Sequence, residues 1–403
     1  MDSQINAWLN GDSRNRDMLL LGLGLLLACA GLLILYPASA LLAERELSNS
    51  DFFFHRQVGW MVIGLPALLL WSAVPIKLLR RLALPGLMLV IVMLGLVFVP
   101  GIGQSVSSSR ESFHRWLDLG PISMQPSELA KIALVVYSAH ILTRNNELQR
   151  EYDMRRLVPP LAVLSIMLVL IILEPQYGTS ICMLVVLAMM VYLSGFPMLR
   201  LVWLGLASLP LLAILVFFWE YRFERFRVWL DPYAYRYEGG YQLVTSFRAF
   251  EEGGWFGQSL ASGFGHRYLT YGYNDFILAL FAEDFGFIGI VVLFGLMMAF
   301  LLRAFLTLKQ IQEPFPFMLG AGSLIMIFFQ ILVNCAVVTG LVPTTGVSLP
   351  FISYGGTSLI VTMSFLGLLF NVSRHAHRHG PGAEVFRSPA LQPADPPLVT
   401  ARS

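Results

Sequence analysis

Charge is what this chain has least of. Asp, Glu, Lys and Arg together make up 13% of its 403 residues, against about a quarter in an ordinary soluble domain. Hydrophobic residues reach 56% and the mean hydropathy is +0.68. A soluble globular protein is excluded, and a polytopic membrane protein is what remains. The formal net charge is only +2 and no Lys/Arg block stands on a soluble domain, so nucleic acid is excluded as a partner. Cysteine is equally sparse. Cys29, Cys182 and Cys335 fall inside apolar runs without metal-type spacing, which excludes a disulfide framework and leaves small core residues. No half of the sequence repeats the other, which speaks against a repeat-built transporter.

Long apolar runs stand where the charge is missing. Runs of about twenty residues mark spanning helices, and ten are expected, near 17–42, 57–76, 82–101, 127–143, 157–174, 178–196, 201–220, 274–302, 317–341 and 357–373. The expected fold class is an all-α polytopic membrane protein of about ten transmembrane helices. A large extracytoplasmic loop, 221–273, separates the seventh from the eighth. Ala38-Ser39-Ala40 resembles a signal-peptidase site, but the run is too long for a signal and further spans follow, so the first helix is retained. An N-terminus placed inside gathers Arg14, Arg16, Lys77, Arg80, Arg81, Arg144, Arg150, Arg155, Arg156, Arg200, Arg303 and Lys309 on the cytoplasmic side. The short loops opposite then hold only Arg45, Arg56, Arg110 and Arg115, as the positive-inside rule requires. Residues 1–16 become a cytoplasmic segment, 17–373 the membrane domain, and 374–403 a disordered cytoplasmic tail.

The polar residues that remain are concentrated. Asp275 stands where a segment rich in Arg, Gly and Tyr gives way to an apolar helix, so it is expected at one membrane surface. Asn274 and Asp275 are also residue types that cap helices. Within the long loop, Phe223, Phe226, Trp229, Tyr233, Tyr235, Tyr237 and Tyr241 are interleaved with Arg222, Arg225, Arg227 and Arg236. That mixture suits amphipathic pieces lying at the headgroups. Ser105 to Gln125 reads as a second interfacial piece. Glu128 and Lys131 are three residues apart on the first turn of a span, hence on one face and able to pair. They either tie helices together or reach a cavity open to the outside, since a lone charge at that depth is expensive. Leu173 to Thr179 forms a polar turn. Val342 to Thr357 holds too much Pro, Gly and hydroxyl for a lipid-facing helix, and such backbone survives only when packed in protein or lining a cavity.

Five stretches carry a resemblance. They are Arg115-Trp-Leu-Asp-Leu-Gly-Pro-Ile-Ser-Met-Gln-Pro-Ser-Glu-Leu-Ala-Lys131, Glu174-Pro-Gln-Tyr-Gly-Thr179, Gly240-Tyr-Gln-Leu-Val-Thr-Ser246, Asp275-Phe-Ile-Leu-Ala279 with Glu283-Asp-Phe-Gly286, and Pro343-Thr-Thr-Gly346 running into Leu349-Pro-Phe-Ile-Ser-Tyr-Gly-Gly356. In this order the chain resembles the SEDS family of bacterial membrane proteins, which includes FtsW, RodA and SpoVE. The resemblance implies a ten-helix peptidoglycan glycosyltransferase in the bacterial inner membrane. It would polymerise lipid II into nascent glycan beside a class B penicillin-binding protein and other division or elongation proteins. It further implies Asp275 as the essential acid. Arg115, Gln125, Ser127, Glu128, Lys131, Glu174, Gln242, Ser246, Glu283, Ser353 and Tyr354 are substrate-binding or supporting residues by the same token. The N-terminal extension and polar tail are more like the division branch, that of FtsW. Three departures stand out: Thr270-Tyr-Gly-Tyr-Asn274 precedes Asp275 where the family has a Pro-Glu-x-His-Thr pattern, Gln176 replaces a usual Asp, and Glu111-Ser-Phe-His114 stands where Asn-Gly-Ala commonly precedes Arg-Trp.

Glycan extension needs a base for the attacking sugar hydroxyl and positive charge for the departing pyrophosphate. Asp275 is the candidate base, or the ligand of a divalent cation (Mg or Mn), or both. Arg115, Lys131 and the loop arginines are candidate sources of charge. A lipid II flippase and a scaffold that recruits a transpeptidase are the alternatives to a polymerase.

Overall fold

The computed structural model describes residues 17–99, 103–107, 112–118, 123–148, 158–174, 176–203, 206, 220–269 and 272–376. The segments 1–16 and 377–403, and most of the span expected at 201–220, lie outside the described residues. Three apolar helices open the fold: α1 (Met18–Leu47), α2 (Phe52–Ala73) and α3 (Ile76–Leu96). Asp17 caps α1 by accepting the Leu20 N–H, and Ser48 ends it in the left-handed conformation with its N–H on Ala43 and Glu44. Ala38 and Ser39 lie buried in this unbroken helix. Pro37, Pro66 and Pro85 sit inside α1, α2 and α3, a pattern that neighbouring helices tolerate in membrane proteins.

Between α3 and the next helix, where a second interfacial piece was expected, the chain forms a small antiparallel sheet. Strands β1 (Gly103–Ser107), β2 (Ser112–Asp118) and β3 (Ser123–Met124) pair in sequence order. Gly103 faces Leu117, and Asp118 faces Ser123. The expected all-α class thus holds for the membrane domain, with this sheet as its one addition among the described residues. Helices α4 (Pro126–Leu148), α5 (Val158–Leu173) and α6 (Tyr177–Leu193) follow, with the polar turn between the last two. The long loop folds into α7 (Glu220–Leu230), α8 (Tyr241–Gly253) and the short α9 (Phe264–Tyr268). The chain ends in α10 (Ile277–Leu308), α11 (Pro314–Val338) and α12 (Gly356–Ser373).

Helices α1, α2, α3, α10, α11 and α12 are long and apolar enough to cross a membrane, while Leu161–Leu173 and Tyr177–Leu193 are shorter apolar helices. Leucines and valines such as Leu33, Leu69 and Val292 point outward from α1, α2 and α10, as expected of a lipid-facing surface. At the centre, α12 is buried nearly all round. Small residues make that possible: a Cβ on Gly367 would lie 2.5 Å from the Leu68 carbonyl of α2. Asn371 finishes the contact by donating to the Trp71 and Val74 carbonyls.

Helix α10 is not one straight span. Gly286 breaks it at φ 63° and ψ −165°, values that only glycine adopts cheaply. A Cβ there would also strike the backbone of 255–257. Residues 276–284, before the break, are buried at every position, whereas the helix beyond it turns half its surface outward. The lipid-facing span therefore begins near 287, later than the sequence pattern suggests. The buried turns before it pack on α8.

The chain enters and leaves the bundle at one end. The Asp17 N–H donates to Ser373 Oγ (3.1 Å), and Arg303 Nε meets the Asp17 carboxylate at 2.7 Å. The far end of α1 is tied to the long loop, through Arg45 Nη1 on the Arg267 carbonyl.

Candidate active site

Asp275 lies at that far end, in the turn just before α10. It does not cap the helix: the N-cap is Phe276, and no side chain satisfies the first N–H groups. Among the described residues no hydrogen bond reaches its carboxylate. Its backbone carbonyl accepts from Asn334 Nδ2 of α11 at 2.8 Å, and the same amide donates to the Val347 carbonyl at 2.8 Å. One buried asparagine thereby fixes the acid's backbone to the irregular segment 341–355. Gly346 of that segment faces Asp275 Oδ2. Burial raises the Asp275 carboxyl to about 6, against the lowering pull of Arg225 and Arg115.

Both arginines are held by backbone oxygens. Arg225 Nη1 of α7 donates to the Thr344 carbonyl at 2.8 Å, and Arg115 Nε of β2 donates to the Glu174 carbonyl at 3.2 Å. Trp229, one helical turn beyond Arg225, donates its indole N–H to the Gly340 carbonyl. These two loop residues thus brace the site, whereas Tyr233 and Tyr237 remain exposed, as the headgroup reading requires.

A second polar chain runs from the 173–179 turn. Ser127 Oγ donates to Gln176 Oε1 at 2.7 Å, and Gln176 Nε2 donates to Glu174 Oε2 at 3.2 Å. Thr345 and Val347 close over Gly178 in the same turn. Arg115 joins this chain to Asp275, since it acts electrostatically on both Glu174 and Asp275. Gln176, a departure from the family pattern, is therefore a neutral bridge between a hydroxyl and an acid.

Other expected site residues stand apart. Lys131 Nζ meets Glu128 Oε1 at 2.7 Å, and both side chains are buried, Lys131 at 2% exposure. The pair is internal to α4 rather than open to the outside. Gln125 donates its N–H to Thr357 Oγ1, Ser246 Oγ donates to the Val338 carbonyl, and Ser353 Oγ accepts from Leu349 N–H. Tyr354 packs edge-on to Phe53 and Tyr273. Gln242 is half-buried at the start of α8. These residues hold helices and loops together around the site. Glu283 accepts the N–H groups of Gly265 and His266 (2.8 and 3.3 Å), and its neighbour Asp284 meets His266 Nε2 at 2.9 Å. It fastens α9 to the buried turns of α10, two helical turns beyond Asp275.

Asn334 was not foreseen, because a lone Asn in an apolar helix carries no motif. The rarity of a polar side chain in a span was the available signal. Replacing it by Leu, of similar size, strands the buried Val347 carbonyl and the part-buried Asp275 carbonyl, at about 1–3 kcal/mol for a fully buried group. The expected outcome for Asn334→Leu is a thermal midpoint in detergent lowered by several degrees, read by fluorescence melting.

A polytopic membrane protein with one carboxylate and two guanidinium groups gathered at one end of its bundle is what fold and site define. The chain belongs to the FtsW/RodA/SpoVE family, described as "Cell cycle protein", which matches residues 17–378. It is similar to the "Probable peptidoglycan glycosyltransferase FtsW" of Saccharophagus degradans, with 36% identity over 91% of this chain and 94% of that one. The protein of the same description from Geobacter sp. strain M18 is 34% identical over 89% of this chain and 96% of its own length. Among solved structures, a chain of a peptidoglycan synthase complex that coordinates polymerization and crosslinking aligns with a TM-score of 0.74 and 27% identity, over 90% of this chain and 99% of that chain. The rod shape determining protein RodA of Thermus thermophilus aligns with a TM-score of 0.65 and 26% identity, over 90% and 98%.

Proposed function

We propose that this protein polymerises lipid II at the outer face of the bacterial cytoplasmic membrane, as a peptidoglycan glycosyltransferase of the division branch. A class B penicillin-binding protein is its crosslinking partner. Ten spans with both termini in the cytoplasm fit the joined ends at Asp17 and Ser373 and the Lys/Arg distribution. The observation that carries the reading is the Asp275 carboxylate, uncapped and facing Arg225 and Arg115.

The reaction joins an acceptor sugar hydroxyl to the anomeric carbon of a donor while the bond from that carbon to undecaprenyl pyrophosphate breaks. Asp275 takes the hydroxyl proton as the new C–O bond forms. By analogy with inverting glycosidases, one base suffices and no covalent intermediate is needed. Arg115 and Arg225 stabilise the charge that develops on the departing pyrophosphate. Among the described residues no three His, Cys, Asp or Glu side chains converge, and the neighbours of Asp275 are cationic. This donor set does not fit a divalent centre built by the protein, so no step is routed through one.

Purified protein given labelled lipid II in detergent tests the assignment, since only a polymerase yields long glycan where no second leaflet exists. Short products alone, with and without the partner transpeptidase, overturn it. The pH profile adds a second check. A base held at about 6 is active as the anion, so this group makes initial rates rise with pH through about 6 and adds nothing further by about pH 7.5. Below it they fall about tenfold per unit. A flat profile from pH 5 to 8 removes Asp275 as the base.

A further inference from the structure

Glu174 is a buried acid in an unusual setting. It is 1% exposed in the turn just after α5, and among the described residues its carboxyl is reached by one neutral donor, Gln176 Nε2, while its Oε1 has no hydrogen-bond partner. Arg115, the cation that acts on it electrostatically, bonds the residue's backbone carbonyl. A buried carboxylate normally collects charged or multiple donors, because each unsatisfied charged oxygen is costly. This one has neither.

We propose that Glu174 is a positioning residue that works as the neutral acid: its carbonyl aims Arg115, and its uncharged carboxyl leaves the guanidinium charge to Asp275 and the leaving pyrophosphate. The proposal rests on the polymerase reading above. Burial agrees with it, raising the Glu174 carboxyl to about 8 against the pull of Arg115. The groups around Glu174 leave few competing explanations. Ser127 reaches it through Gln176, Arg115 acts on it from β2, and the Glu128–Lys131 pair of α4 is closed on itself. The 341–355 segment over Gly178 brings nothing titratable before Tyr354. Helix α3, packed on α5, carries Lys77, Arg80 and Arg81 at its first turns, and α11, packed on α6, offers only Cys335.

The sign follows from the charges. Above about pH 8 Glu174 becomes an anion, draws on Arg115 and opposes the negative charge building on the pyrophosphate. Wild-type polymerisation is expected to fall about tenfold between pH 7.5 and 9.5, the loss of one modest electrostatic contact. Glu174→Gln, fixed in the neutral form, is expected to lose that alkaline limb, its rate staying level relative to its own value at pH 7.5. Gln176→Leu removes the sole donor to the carboxyl among the described residues, so the limb moves to higher pH.

The measurement is the initial rate of lipid II polymerisation by the detergent-purified full chain with its transpeptidase partner, from pH 6 to 10, with folding checked by size exclusion. A Glu174→Gln protein that folds but is inactive, or that keeps the wild-type limb, overturns the proposal. So does an unmoved limb in Gln176→Leu, which answers even if Glu174→Gln does not fold. Failure of the polymerase reading is distinct: the wild type then makes no glycan at any pH.

Discussion

Asp275→Asn is expected to abolish lipid II polymerisation while leaving the fold intact. General-base catalysis contributes about 10²–10⁴ in rate, and an amide takes up no proton at neutral pH, so the loss lies at the upper end of that range. The fold survives for three structural reasons. Asn is nearly isosteric, the Asp275 carboxylate does not cap α10, and the Asn334 bond is made to the backbone carbonyl, which the substitution preserves. Linkage adds a direction. A carboxyl whose folded-state pKa is raised to about 6 costs stability once it ionises, so its stabilising neutral form is lost as pH rises towards 6. At pH 7.5 the Asn variant should therefore melt at or above the wild-type temperature. Dead polymerisation with an unchanged or higher melting temperature is the expected pair of results. A variant that still makes long glycan sinks the catalytic assignment, and one that fails to fold sinks the structural argument.

Lys131→Met is expected to have the largest effect on stability. It takes away the one cation that pairs with the buried Glu128 among the described residues, where Oε2 of that acid has no hydrogen-bond partner even in the native protein. Breaking a buried pair in this way costs about 3–5 kcal/mol. The measurable result is a collapse of folded protein on size exclusion, or a melting point far below wild type. Glu128→Gln combined with Lys131→Met should recover most of the loss, because both charges are then gone and the shapes remain. Recovery in the double variant but not in the single one identifies the uncompensated charge as the cause. Equal loss in both would mean that packing, not charge, is what the pair supplies.

Much of this architecture was legible in the residues. The apolar runs that lie within the described residues fall on helices, Glu128 and Lys131 pair at their three-residue spacing, and the Pro/Gly-rich stretch before α12 is irregular, partly exposed over 341–346 and largely buried over 347–353. Other features were hidden for reasons of physical scale. The sheet at 103–124 is built of short strands that lack the strict alternation that announces one. The break at Gly286 is a single backbone conformation inside an apolar run, so periodicity passes straight through it. Arg225 looked like any headgroup arginine until Thr344 was found to hold it.

What the sequence determined by itself was the class of protein and a candidate acid: too little charge to be soluble, enough apolar runs for a membrane bundle, and motif stretches whose family resemblance points to Asp275. The tertiary structure alone decided what that acid does not do and what surrounds it. It is not a helix cap, and its neighbours are Arg115 from a strand, Arg225 from a loop helix and Asn334 from a span. The physical reason is distance along the chain. These groups come from positions up to about two hundred residues apart, and only packing brings their charges close enough to set one carboxyl's affinity for a proton.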